Sequence, residues 1–315
     1  MQSGKKQTTL YLLLVLVMAS WGLNVTATKI LVSHFPPITM TSFRIFTAAI
    51  AVFLFLLAIG KFRLPTHREF LYIFAGSLFN IFLHHYFLAS GLTMTTGTNG
   101  GLILGIGPIL TAILAVIFLR EAISMPQLIG LVSGLFGVSL IVLTGGQGLS
   151  GASLGDIYVF IAILSQCFSF IIIKRISGSL DPRLMTAYML LIGSILLFFT
   201  SLIEEPGGLA QMSGHSPSMW LLFLTSALLA TAFGNLIYNF AVGQIGPSQT
   251  AIFMNLNPFF SLIGAALFLN EQIRLMQILG FILIIIGVIL GSGALPELIR
   301  ARKRVRNPQS SRRSR

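Results

Sequence analysis

Three side chains in this sequence could carry or exchange charge where charge is scarce: Arg44, His84 and His85. Arg44 lies six residues into an apolar run that starts near Ile38, and the two histidines lie six and seven residues before Gly91 closes another. At 1.5 Å of rise per residue, each is roughly 10 Å from the end of its helix. A guanidinium at such a depth offers a planar fork of donors that fits a carboxylate. An imidazole gains or loses a proton between about pH 5 and 8. Asn80 falls one turn before His84 on the same helical face and extends a polar stripe. Simpler uses compete: Arg44 can snorkel outward, and a histidine can be a plain helix-to-helix hydrogen-bonding group.

Uncharged groups accompany them. Trp21, Asn24, Ser165, Gln166, Asn235, Tyr238, Asn239, Asn255 and Asn257 place aromatic rings and amides within a few turns of the middle of their apolar runs. Such groups suit zwitterionic or polar neutral solutes better than strong ions. Pro108 and Pro258 must interrupt their helices, because proline lacks an N–H and clashes with the carbonyl four residues earlier. Each is a hinge or a static kink. No Asp or Glu stands in the middle third of any apolar run, so carboxylate-based proton coupling has no carrier. There is no GxSxG, no HExxH and no nucleotide-binding loop, and the single cysteine, Cys167, cannot build a disulfide or a metal cluster. No metal or cofactor is called for.

The elements that must position these residues are set by composition. Of 315 residues, 55% are hydrophobic and 9% charged, with a mean hydropathy of +0.91. A soluble domain carries about 25% charged residues, so this is an integral membrane protein. A crossing needs about 20 apolar residues. Ten stretches qualify: 10–32, 38–59, 69–91, 96–119, 125–144, 154–175, 183–203, 217–243, 247–269 and 275–293. The first is too long for a signal-peptide core and lacks a cleavage site. The expectation is an all-α membrane protein of ten helices, with halves at 10–144 and 154–293 and a basic tail at 294–315.

Lys and Arg orient it. With both termini on one side, that side receives nine of the 20 in its loops and N-terminus and eight more in the tail. The other side receives only Lys29 and Arg274. Both termini are therefore expected to be cytoplasmic. There the tail would bind anionic lipid headgroups rather than nucleic acid.

The halves repeat. At an offset of 150, Pro108, Glu121, Gln127, Gly130 and Gly137 meet Pro258, Glu271, Gln277, Gly280 and Gly287. At 145, Ser20, Lys29, Pro37, Met40 and Thr41 meet Ser165, Lys174, Pro182, Met185 and Thr186. At 152, Tyr86, Ala89 and Gly91 meet Tyr238, Ala241 and Gly243. Five spans per half force the second half to enter the membrane upside down. That is the inverted-repeat plan of alternating-access transporters. Small residues four apart, Gly97, Gly101 and Gly105, Gly130 and Gly134, Gly287 and Gly291, make smooth ridges for close helix packing. Spans 5 and 10, nearly devoid of polar residues, are expected at the periphery and offer a contact for a homodimer. Glu121 and Glu271 belong at span ends, near Arg120 and Arg274, in a structural turn or pairing.

With Trp21-Gly22, Asn24 and Lys29 in span 1, Arg44 in span 2, and Pro108 to Glu121 echoed by Pro258 to Glu271, the chain resembles the drug/metabolite transporter superfamily, and within it a member with two EamA domains. The resemblance covers about residues 10–293. It implies an exporter-like ten-helix fold with cytoplasmic termini, and solutes among amino acids, metabolites, amines and drugs. Gln166 stands opposite Trp21 and Met189 opposite Arg44, so the cavity is asymmetric.

The leading expectation is a secondary transporter in the plasma membrane that exports a small metabolite, with Arg44 holding a solute carboxylate and a neighbouring histidine coupling transport to pH. An intramembrane enzyme acting on a lipid or small molecule is the alternative from another class. It lacks a nucleophile-base pair.

Overall fold

The computed structural model describes residues 2–95, 97–145, 153–269 and 273–292. Every regular element among them is helical. Eight segments are long and apolar enough to cross a membrane: α1, helical over Gln2–Val32, α2 (Pro37–Ala58), α3 (His67–Met94), α4 (Asn99–Leu119), α5 (Met125–Gly145), α6 (Leu154–Ile176), α7 (Pro182–Glu204) and α8 (Pro217–Ile245). The two other expected spans are α9, broken into Pro247–Ala251, a 3-10 turn Ile252–Leu256 and Asn257–Leu269, and the apolar helix α10 (Leu275–Gly291). The basic tail and Glu271 lie outside the described residues.

Local sequence explains where helices start. Thr66 and Glu69 cap α3 reciprocally, and Arg63 pairs with Glu69 at 2.5 Å. Ser153 and Asp156 do the same for α6. Pro37, Pro182, Pro217 and Pro247 occupy first turns, where a missing N–H costs nothing. Asp181 caps α7, accepting from Arg183 N at 3.0 Å. Burial alone would raise the Asp181 carboxyl, but the hydrogen bonds from Arg183 outweigh it and hold the group below the usual carboxylate range.

Packing follows the repeat. α2 lies along α7 and α5 along α10, each helix against the corresponding helix of the other half. The remaining contacts come in pairs that exchange the halves: α3 with α6 and α8 with α1, α4 with α6 and α9 with α1, α2 with α8 and α7 with α3. Helices α1–α4 and α6–α9 form the body.

The glycine ridges act inside the chain. A Cβ on Gly137 would lie 2.5 Å from Gly280 O, and one on Gly130 would lie 2.6 Å from Gly287 O. Ser133 Oγ donates to Leu283 O across the same interface at 2.9 Å. Gly101 and Gly105 receive Val142 and Val138 of α5. The ridges of α5 and α10 therefore fill each other. Close backbone approach is the main source of helix adhesion in lipid, where apolar burial gives none.

Gly137→Val should accordingly lower stability by about 1–3 kcal/mol through overpacking, read as a fall of several degrees in the melting temperature of detergent-solubilised protein. Gly178→Ala, where no atom lies within 4 Å of the added methyl, should leave that temperature unchanged.

Candidate functional site

The helices of the body depart from regularity at four places, two in each half. In α3 and α8 the turns widen to π-helix over Ser77–Leu83 and Ser226–Phe233. Thr231 Oγ1 donates to Ser226 O, five residues back, at 3.2 Å. Stretches of this kind often mark functional sites. In α4 the helix breaks at Ile106, and in α9 at the 3-10 turn, each just before its proline. Pro108 and Pro258 thus interrupt their helices as the sequence requires.

The other half covers each irregular stretch. Trp21 Nε1 donates to Ala230 O at 2.8 Å, and its ring lies 5.1 Å from that of Tyr238, which in turn lies 5.0 Å from Phe170. Gly234 has no room for a Cβ beneath Trp21. Cys167 Sγ donates to Gly107 O at 3.3 Å. Gly22 packs on Asn257 O, where a Cβ would come within 2.8 Å.

Arg44 is inside the protein, 6% exposed. Nη1 donates to Ser226 Oγ at 3.1 Å, and Nε is buried with no partner. Ser226 opens the widened turn of α8. The snorkelling alternative therefore does not apply: the guanidinium points into the bundle. The two described ion pairs, Arg63–Glu69 and Arg183–Asp181, do not involve it.

The expected partners of Arg44 sort themselves differently. Asn80 donates to Ser169 Oγ at 2.6 Å, and Ser169 Oγ donates to Gln166 O at 2.6 Å. His84 is held at both ring nitrogens, Nδ1 by Ala162 O at 3.0 Å and Nε2 by the Gln166 amide at 3.3 Å. A ring that donates to a carbonyl and accepts from an amide is a fixed neutral tautomer. Asn80, His84 and Gln166 thus stitch α3 to α6. His85, half-buried with its ring 5.0 Å from that of His84, carries no such bonds among the described contacts.

The remaining amides scatter. Asn235 donates to Thr231 O within its own helix at 2.8 Å. Asn239 bonds Thr186 Oγ1 at 3.0 Å. The Asn255 amide packs against Gly134 of α5, away from the body, and its Nδ2 is unpaired. Asn24 donates to Thr28 Oγ1 at 3.3 Å, with its Oδ1 buried and unpaired, and the Tyr238 hydroxyl is also buried without a partner. Tyr86 lies near Glu204 at 3.4 Å, so it is not the counterpart of Tyr238 that the 152 offset implied. The contacts between helices fix the register instead at 145 for α1 and α2 and 150 for α3 and α4. On that register His84 with Gln166 corresponds to Gly234 with Trp21, Gly107 with Cys167 to Asn257 with Gly22, and Asn99 with Asp156 to Gln249 with Tyr11.

Carboxylates serve the ends. Glu205 accepts from Ile38 N, Thr39 N and Thr39 Oγ1 at 2.7–2.8 Å and so caps α2 from the far half. Glu121 accepts from Ser248 Oγ at 2.7 Å, beside Gly246, whose φ of +92° suits glycine. The Glu205 cap and Ser226 escaped the sequence reading, whereas Glu121 holds a structural contact at a span end, as expected. Only Ser226 had a local sign, a hydroxyl at the 150 offset from Gly76.

A family model for EamA-like transporters matches the chain twice, over residues 8–143 and 153–293. The chain belongs to that family. It is a membrane transporter. An uncharacterized transporter of Bacillus subtilis, YyaM, is 27% identical over 299 residues, covering 92% of this chain and 95% of its own. An uncharacterized transporter of Archaeoglobus fulgidus is 26% identical, with 88% and 96% covered. A crystal structure 16% identical in sequence superposes with a TM-score of 0.78 over 92% of this chain and 99% of that one, which shows the fold.

The stitching residues and Arg44 should separate by experiment. Asn80→Ala and Ser169→Ala should each cost about 1 kcal/mol of stability and be non-additive, with flux per folded molecule unchanged. Arg44→Gln should show the reverse pattern, measured by melting in detergent and by flux in proteoliposomes.

Proposed function

We propose that the protein exports a small carboxylate-bearing metabolite across the plasma membrane by alternating access of its two halves. One observation carries this reading: Arg44 is buried, has an unpaired Nε, and holds only a serine hydroxyl through Nη1. A charged group within the membrane costs at least a few kcal/mol and commonly marks a solute path. A neutral hydroxyl offsets little of that. An anionic solute would offset more, through two parallel hydrogen bonds from one guanidinium edge. The inverted repeat supports alternating access, with binding near the interface of the halves. The breaks before Pro108 and Pro258 supply places where helices can bend. The widened turn of α8, beside Trp21 and Arg44, supplies backbone that can change register. The basic tail would rest on anionic lipid headgroups of the cytoplasmic leaflet.

In proteoliposomes, the wild type should carry carboxylates down a gradient. Arg44→Gln should lower that flux by 10-fold or more, and Arg44→Lys should not restore it, because a point charge does not reproduce a planar fork. Equal flux of every carboxylate through all three proteins would sink the assignment. Comparison of medium from overexpressing and deletion cells then identifies the exported solute.

A second expectation concerns the breaks. Pro108→Ala and Pro258→Ala should fold and insert yet slow flux severalfold. Unchanged turnover in both would mean the prolines are static kinks.

A further inference from the structure

The two halves make the same interhelical contacts with different residues, and two of the differences leave buried polar atoms without partners. On the register fixed by the contacts, Ser169 of α6 corresponds to Asn24 of α1, and Asn80 of α3 to Ala230 of α8. In one arrangement the pair is complete, with Asn80 Nδ2 donating to Ser169 Oγ at 2.6 Å. In the other, the register pairs Asn24 with an alanine. Its Nδ2 turns back to Thr28 Oγ1 of its own helix, and its Oδ1 is buried and unpaired. Likewise Met189 of α7 corresponds to Arg44 of α2, and Gly76 to Ser226. Met189 packs its thioether on Gly76, an apolar contact that needs nothing more. Arg44 meets Ser226 with one nitrogen and leaves Nε unpaired.

Both orphans flank the same widened turn of α8. Trp21 reaches Ala230 O, and Tyr11 meets Gln249 just past the end of α8, so α1 runs antiparallel to α8. Asn24 lies one turn beyond Trp21 on the same face, toward the end from which α2 enters. Ser226, which holds Arg44, lies one turn beyond Ala230 toward that same end. The amide oxygen and the guanidinium are therefore at one height, against one stretch of α8. Their chemistry is complementary: an amide oxygen only accepts, and a guanidinium only donates.

We infer that Asn24 Oδ1 and Arg44 form a two-point site, selecting a solute that presents a carboxylate to Arg44 and an N–H or O–H donor to Asn24. The inference rests on the carboxylate reading above and adds Asn24 as the residue that requires the donor. A buried acceptor left unpaired by a solute without a donor penalises that solute. A site with an unmatched polar group discriminates far more strongly than an apolar pocket does by size.

The test uses the purified full chain in proteoliposomes and a matched panel: α-amino acids, the α-hydroxy acids of the same skeleton, and the carboxylates with hydrogen at that carbon. The wild type should prefer donor-bearing solutes over the plain carboxylates by on the order of 10- to 100-fold. Asn24→Leu should erase that preference by slowing the donor-bearing solutes. Asn24→Asp should shift preference toward the amine, since a carboxylate favours an ammonium over a hydroxyl. Ala230→Asn leaves Asn24 in place but returns the partner that Asn80 supplies in the other half, so it too should flatten the preference. It serves even if Asn24→Leu fails to fold. Carboxylate transport with no donor preference in the wild type, or a preference unchanged in Asn24→Asp and Ala230→Asn, overturns the role of Asn24 and leaves the carboxylate reading standing. Absence of any carboxylate flux overturns both.

Discussion

Inside a bilayer a backbone N–H or C=O finds no water and must be paired within the protein. Regular helix meets that demand by itself. This chain leaves regular helix in the middle of α3, α4, α8 and α9, and there the demand passes to neighbouring side chains. Trp21 serves Ala230 O, Cys167 serves Gly107 O, and Arg44 binds the serine that opens the widened turn of α8. In all three the donor comes from the opposite half of the chain. The irregular backbone is thus one of the places where the halves are joined.

The proposed site rests on a lapse in symmetry. Two copies of one contact scheme began with equivalent positions, and substitution completed some pairs while stripping others. Asn80 with Ser169 and Met189 with Gly76 are closed, self-sufficient contacts. Asn24 against Ala230 and Arg44 against Ser226 are open ones. A perfectly symmetric chain would either hold all its polar groups paired, with nothing left for a solute, or bury two guanidiniums near one axis.

Much of this could be read from residue order alone. The apolar runs, the repeat offsets and the rarity of proline and glutamate fixed the helix pattern, the inverted halves and the breaks before Pro108 and Pro258. The site was harder, because sequence gives depth but not azimuth. His84 and Arg44 share a level, with Asn80 one turn deeper, yet Asn80 and His84 turn toward α6 and only Arg44 turns toward α8. Asn255 sits beside Asn257 and Pro258 in sequence but faces α5. Both halves carry the wide turn, so the register stays at 150 through it, and Tyr86 and Tyr238 matched in letters and not in position. Glu205 caps α2 from far away in the chain, so no local spacing could reveal it.

The glycine interlock of α5 with α10 has a consequence for how such a chain could have come about. Each of these helices is the last of its half, and their backbones touch at Gly130, Gly137, Gly280 and Gly287. With α2 on α7 as well, each half grips the other at both flanks of the body. The grip owes nothing to the peptide bond that joins the halves. Two separate polypeptides, made from two genes and inserted in opposite senses, would find the same partner surfaces. Fusion then adds equal supply and fixed opposite orientation of the two parts, and it frees each to diverge, so that one can keep the arginine the other has lost.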